Sequence, residues 1–128
     1  MSRIVLDASA ILAILNREPG ADKLTPQLLN TAVASTVNLA EVQSKLVDRG
    51  ISADEAWIAT LSSTREAIAF TAGQAKTAGD LIAETRPLGL SLADRACLAL
   101  GLELKAPVYT ADRSWKNLKF GVRIHVIR

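Results

Sequence analysis

Four carboxylates carry the chemistry open to this chain: Asp7, Glu41, Asp94 and Asp112. Asp7 stops the apolar run Ile4-Val5-Leu6 and precedes a good helix former, Ala10-Ile11-Leu12-Ala13-Ile14-Leu15. The other three stand at or near the starts of predicted helices reached from a strand or a loop. In a parallel α/β sheet, strand ends that lead into helices share one edge, so all four acids are expected on one rim. Carboxylates within several ångströms repel by roughly 3 kcal/mol per close pair at an effective dielectric near 20. A hard divalent cation relieves that repulsion, and oxygen-only ligands suit Mg²⁺ or Mn²⁺. A carboxylate-held Mg²⁺ recruits phosphate oxygens, which points to phosphodiester chemistry with a metal-activated water as nucleophile.

Each acid also has an ordinary explanation. Glu41 follows Asn38 by three and precedes Lys45 by four, which suits a box-like cap and a helix ion pair. Asp94 follows Ser91 by three, and Asp112 opens a short helix where negative charge suits the dipole. The common placement of all four is what favours a site. Ser9, Thr110 and Asn38 are expected to support it by hydrogen bonding a carboxylate or a water, with Ser9 as N-cap of the first helix. Arg95 and Arg113 directly follow two of the acids and, with Lys116, are candidate substrate contacts; the alternative is pairing with nearby acids. His125 falls in an alternating segment and reads as structural or exposed. Cys97 is the single cysteine, so there is no disulfide framework and no cysteine-based metal site.

The elements that must position these residues follow from periodicity. Residues 4–6, 32–35, 67–70, 107–110 and 122–127 read as strands, the last as an edge strand. Residues 21–30 look helical, with Pro26 near a helix start or forcing a break. A helix is expected over 39–49, ended by Gly50. Ser52-Ala53-Asp54-Glu55 caps another helix, in which Trp57 reads as core or as packing against a partner helix. Thr71 with Gln74 opens a small-residue helix reaching about residue 84. Ser91 opens one through Leu100, and 112–117 form a short helical turn. Strands alternating with helices predict one α/β domain over 1–128, a three-layer α/β/α arrangement around a mostly parallel sheet.

Net charge is only +2, but residues 105–128 hold six basic side chains against one acid, Asp112. This basic quarter, including Lys116 and Lys119, could attract a polyanion or simply be a solvated surface. No charged-then-apolar leader pattern is visible, and no apolar run approaches the ~18 residues that span a membrane. The expectation is a soluble, cytoplasmic protein with no membrane role.

Four segments in register, Ile4-Val5-Leu6-Asp7-Ala8-Ser9-Ala10, Ser35-Thr36-Val37-Asn38-Leu39-Ala40-Glu41-Val42, Leu92-Ala93-Asp94-Arg95-Ala96-Cys97-Leu98-Ala99-Leu100 and Val108-Tyr109-Thr110-Ala111-Asp112, resemble the PIN-domain ribonucleases. Within them the chain most resembles the VapC toxins of prokaryotic toxin–antitoxin pairs. The resemblance covers nearly the whole chain. It implies Mg²⁺- or Mn²⁺-dependent endonucleolytic cleavage of RNA, with Asp7, Glu41, Asp94 and Asp112 as the acidic metal site and Ser9 and Thr110 at the family's hydroxyl positions. It also implies a homodimer and a VapB-type antitoxin that inserts a segment near the active site. The alternatives are a PIN nuclease of RNA processing that is not a toxin, and a non-catalytic module that binds RNA or protein. A phosphoacceptor receiver domain wants an acidic pair before its first helix, and a haloacid-dehalogenase-type phosphatase a second Asp where Ser9 stands; neither pattern is present.

Overall fold

The computed structural model describes residues 2–119 and 121–128. Ile4, Val5 and Leu6 form β1 (Ile4–Leu6), and all three are buried, as a central strand covered on both faces requires. β1 pairs in parallel with β2 (Ala32–Ser35) on one side and with β4 (Val108–Thr110) on the other. β3 (Glu66–Ile68) and β5 (Ile124–Val126) add parallel edges, giving one five-stranded sheet in the order β3-β2-β1-β4-β5. The chain steps outward from β1 through β2 to β3, then returns to the other side of β1. The reversal lies between β1 and β4, and the crevice beyond their carboxyl ends is where open α/β sheets bind ligands.

Side chains alternate across the sheet. Ile4, Leu6, Ala32 and Ala34 face a core with Ile11, Leu39, Val42, Leu46 and Ala56, supplied by α1 (Ala8–Asn16), α3 (Thr36–Asp48) and α4 (Ala53–Ser62). Val5, Val33 and Val108 face Cys97, Leu98 and Leu100 of α7 (Leu92–Leu104), with Leu81 and Trp115 completing that layer. α5 (Ala72–Asp80) packs on α7, and Gly101 is where α7 meets β4: a Cβ there would lie 2.6 Å from a Val108 methyl. The α/β/α layering is the expected one.

The expected 21–30 helix is divided. Ala21–Lys23 is a 3-10 turn, and α2 (Pro26–Leu29) starts at Pro26 behind Thr25, whose hydroxyl caps Leu28 N–H. Proline has no N–H to lose at a first helical position. The small-residue helix ends at Asp80 and is followed by α6 (Ile82–Thr85) and a 3-10 turn, Arg86–Leu88. The strand expected over 67–70 sits at Glu66–Ile68, because Thr71 is held as the cap of α5. Trp57 is 43% exposed on α4, beside Ile58 and Leu61, and is therefore not core within this chain. No helix of the described residues is long and apolar enough to cross a membrane.

Candidate active site

Asp7 leaves β1 in an extended conformation, φ −83° and ψ 174°, and is itself the N-cap of α1: Ala10 N–H donates to its Oδ1 at 2.8 Å. This corrects the expectation that Ser9 caps the helix. An extended strand residue already points its short carboxylate at the first free amides, so the cap falls two residues earlier. Ser9, inside the first turn, is freed for another task. Its hydroxyl lies 2.8 and 2.9 Å from the two Asp7 oxygens and 3.1 Å from the Thr110 hydroxyl, and it accepts Ala111 N–H at 2.8 Å. Thr110 donates to Asp7 Oδ2 at 2.6 Å and accepts Asp112 N–H at 3.1 Å. The ends of β1 and β4 are thus tied through two hydroxyls around one buried carboxylate.

Glu41 and Asp94 come from α3 and α7. Ser35, not Asn38, caps α3, accepting Val37 N–H at 3.2 Å. The strand β2 ends extended at Ser35, so the helix begins at once and the cap-like pairing of Asn38 with Glu41 does not form. Asn38 is instead buried in the first turn, where its Nδ2 donates to Ala93 O of α7 at 3.0 Å. Its Oδ1 is buried with no hydrogen-bond partner among the described residues, an uncommon state for an amide oxygen. Asp94 makes the full capping box with Ser91: Ser91 N–H donates to Asp94 Oδ2 at 2.8 Å and Asp94 N–H to Ser91 Oγ at 3.1 Å. Glu41 lies 3.8 Å from Lys45 Nζ. Among the described residues, no three Asp, Glu, His or Cys side chains converge closely enough to hold one ion as they stand.

The acids nevertheless share one electrostatic neighbourhood. Burial pushes the Asp7 carboxyl up to about 6; hydrogen bonds from Thr110, Ala10 and Ser9 pull it down, and the charge of Asp94 pushes it up again. Burial raises the Cys97 thiol well above its ordinary value, and the charges of Asp7, Asp94 and Glu41 raise it further. Asp7, Asp94 and Glu41 thus lie close enough to one buried thiol for their charges to act on it. Asp112 lies outside that group. It is exposed, caps the 3-10 turn Arg113–Asn117 by accepting Ser114 N–H at 2.9 Å, and is joined to Asp7 through Thr110. An all-oxygen set with an orphaned amide oxygen beside it fits a hard divalent cation in donor chemistry.

Of the basic candidates, Arg95 turns away to α5, its Nη1 donating to Ala78 O at 2.8 Å. Lys116 and Lys119 are exposed. Arg113 lines an open cleft of about 500 Å³ with Ser9, Ala111, Asp112 and Arg128. Spacing does not single out Arg128; the contact that brings it to the cleft spans 110 residues, to Glu18. His125 stacks on Tyr109 with ring centroids 4.5 Å apart, and burial lowers its pKa, in keeping with a structural part.

Solved structures share this fold. VapBC2 from Rickettsia felis, bound to a DNA fragment from its promoter, matches at 19% identity over 98% of both chains with a TM-score of 0.74. VapC20 of Mycobacterium tuberculosis, a toxin that cleaves the sarcin–ricin loop, matches at 21% identity over 94% of this chain and 98% of that one, TM-score 0.74. DNA-bound VapBC from Salmonella typhimurium matches at 18% identity over 100% of both chains, TM-score 0.72. No curated protein sequence matches the chain. The model of the PIN domain matches residues 4–121, a span that holds Asp7, Glu41, Asp94 and Asp112, and the chain belongs to the PIN domain family.

Proposed function

We propose that this chain is a metal-dependent endoribonuclease, the VapC-type toxin of a type II toxin–antitoxin pair acting in the cytoplasm. The observation that carries the reading is Asp7: a carboxylate buried at the sheet's crossover point, held by two hydroxyls and acted on by the charge of Asp94. Burying one carboxylate beside the charge of another costs stability and is the arrangement a cation site needs. Asp7, Glu41 and Asp94 would hold Mg²⁺ or Mn²⁺, with Asp112 completing the set. When bound, such an ion supplies positive charge to a phosphodiester and acidifies water.

The chain's own residues do the rest. Ser9 and Thr110 orient both oxygens of Asp7. Asn38 offers its free Oδ1 as an acceptor that orients a water. To hold one ion, Asp94 would give up its bond from Ser91 N–H and Glu41 its ion pair with Lys45. Arg113, beside Asp112 in the cleft, is placed to meet a phosphate, whereas Arg95 supports the α5–α7 packing.

The toxin part of the reading draws on the VapBC character of the structural neighbours. A VapB-type antitoxin and a second copy of the chain are the partners it implies. Trp57, Ile58 and Leu61 on α4, with Val47 and Ile51 nearby in sequence, are large apolar side chains left exposed for such contacts.

Purified, partner-free protein incubated with total RNA tests the proposal. Cleavage is expected with Mg²⁺ or Mn²⁺ and none with EDTA. Identical cleavage in EDTA rejects the metal mechanism; no cleavage under any condition, with RNA still bound, favours the non-catalytic binding module. Growth arrest on expression, relieved by a co-expressed neighbouring gene, separates a toxin from an RNA-processing nuclease.

A further inference from the structure

The cleft beside Ser9 and Asp112 has two cationic side chains in its wall, Arg113 and Arg128. Arg128 is held in place. Its Nε donates to Ala111 O at 3.2 Å and its Nη1 to Glu18 Oε1 at 2.8 Å. Ala111 in turn donates its N–H to Ser9, the residue that grips Asp7. The guanidinium is therefore fixed to the same strand end that carries Thr110 and Asp112. The segment behind it is seated firmly: Ile127 N–H donates to Thr110 O at 2.9 Å, and Gly20 packs against the Ile127 carbonyl.

Two of the five N–H groups of Arg128 are engaged among the described residues, and its side chain is 34% exposed. An exposed ion pair such as Arg128–Glu18 adds little stability by itself. It does hold a planar donor fork, matched to phosphate oxygens, at the edge of a site whose carboxylates repel phosphate.

We propose that Arg128 is an RNA-binding residue, gripping a backbone phosphate in the cleft beside Asp112 with the guanidinium N–H groups that Ala111 and Glu18 do not engage. The naming of RNA as the polyanion rests on the nuclease reading. The order of effects does not depend on cleavage: changing Arg128 removes a phosphate contact, whereas changing Glu18 removes only a partner that competes with phosphate.

Binding of a fluorescently labelled RNA stem-loop, followed by anisotropy in EDTA at several salt concentrations, tests this with wild type, Arg128→Gln, Arg128→Lys and Glu18→Gln. Arg128→Gln is expected to weaken binding about tenfold at low salt and to reduce the slope of log Kd against log salt by about 0.7–0.9, one phosphate contact. Arg128→Lys should keep the slope while losing part of the affinity. Glu18→Gln should bind at least as tightly as wild type. An unchanged slope in Arg128→Gln overturns the proposal, and so does a Glu18→Gln variant that weakens binding as much as Arg128→Gln, since the guanidinium then serves only the ion pair. Wild-type protein that binds the stem-loop with this Arg128 dependence yet never cuts it with Mn²⁺ overturns the nuclease reading alone. Wild-type protein that binds no RNA overturns both.

Discussion

The hydroxyl of Thr110 donates to Asp7 Oδ2 at 2.6 Å, joining the ends of two adjacent strands across 103 residues of chain. The same hydroxyl accepts Asp112 N–H, so one oxygen sets both the buried acid and the segment that carries the exposed one. Thr110→Val keeps the shape and removes both bonds. It should destabilise the metal-free protein by about 1–3 kcal/mol, because Asp7 Oδ2 and Asp112 N–H each lose a partner. Urea denaturation in EDTA measures it; wild-type stability in the variant would mean the network is not formed.

Asp7 makes metal-free stability depend on pH. Its carboxyl titrates at about 6 in the fold and near 3.9 when unfolded. Between these values the native state holds a proton that the unfolded state has lost, so stability is full below about 4 and falls as pH rises through 6. The loss approaches about 3 kcal/mol at pH 7.5, two pKa units at 1.36 kcal/mol each. Asp7→Asn should therefore be more stable than wild type at pH 7.5 in EDTA, with only about a third of the gain left at pH 4.5. A gain of equal size at both values would place its cause outside this ionisation.

Asp94 decides between cap and ligand. Its box with Ser91 is fully formed, and an Asn oxygen can accept the same Ser91 N–H. Asp94→Asn should hold its melting temperature in EDTA, lose most of the stabilisation by added Mn²⁺, and lose nearly all cleavage. Asp54→Asn, on exposed surface in the first turn of α4, should change neither of the last two. Thermal melts of both variants with EDTA and with Mn²⁺ check this. A lower melt in EDTA combined with a full Mn²⁺ shift would make Asp94 a structural acid.

Gly20 sits at φ +90°, a conformation side chains rarely adopt, and a Cβ there would collide with the Ile127 carbonyl. Gly20→Ala should cost at least about 2 kcal/mol. Hydrogen exchange at Ile127 N–H, now bonded to Thr110 O, should speed up more than at β1. Unchanged exchange would show that the segment does not rest on Gly20.

What could be read before folding was local. Ser91 with Asp94 and Thr71 with Gln74 are caps closed within four residues, and both form as read. Ser9 and Asn38 went differently for a related reason. Which residue caps a helix depends on where the preceding strand stops being extended, and that is settled by pairing with a distant strand. Asp7 and Ser35 end strands pinned by their neighbours, so they became the caps. That left Ser9 and Asn38 to turn toward Thr110 and Ala93.

The amino-acid sequence by itself determined most of the elements, the alternating α/β order and the placing of Asp7, Asp94 and Asp112 next to strand ends and helix starts, because apolar periodicity and capping act between near neighbours. Glu41, by contrast, falls in the second turn of α3. Tertiary structure alone decided that β4 lies beside β1, that the charges of Asp7, Glu41 and Asp94 act on one buried thiol, Cys97, and that Arg128 reaches the cleft. Parallel strand pairing joins residues a hundred positions apart through backbone groups that every residue carries. The order of strands is therefore chosen by which apolar faces bury together across the whole sheet, and no short stretch of sequence spells it out.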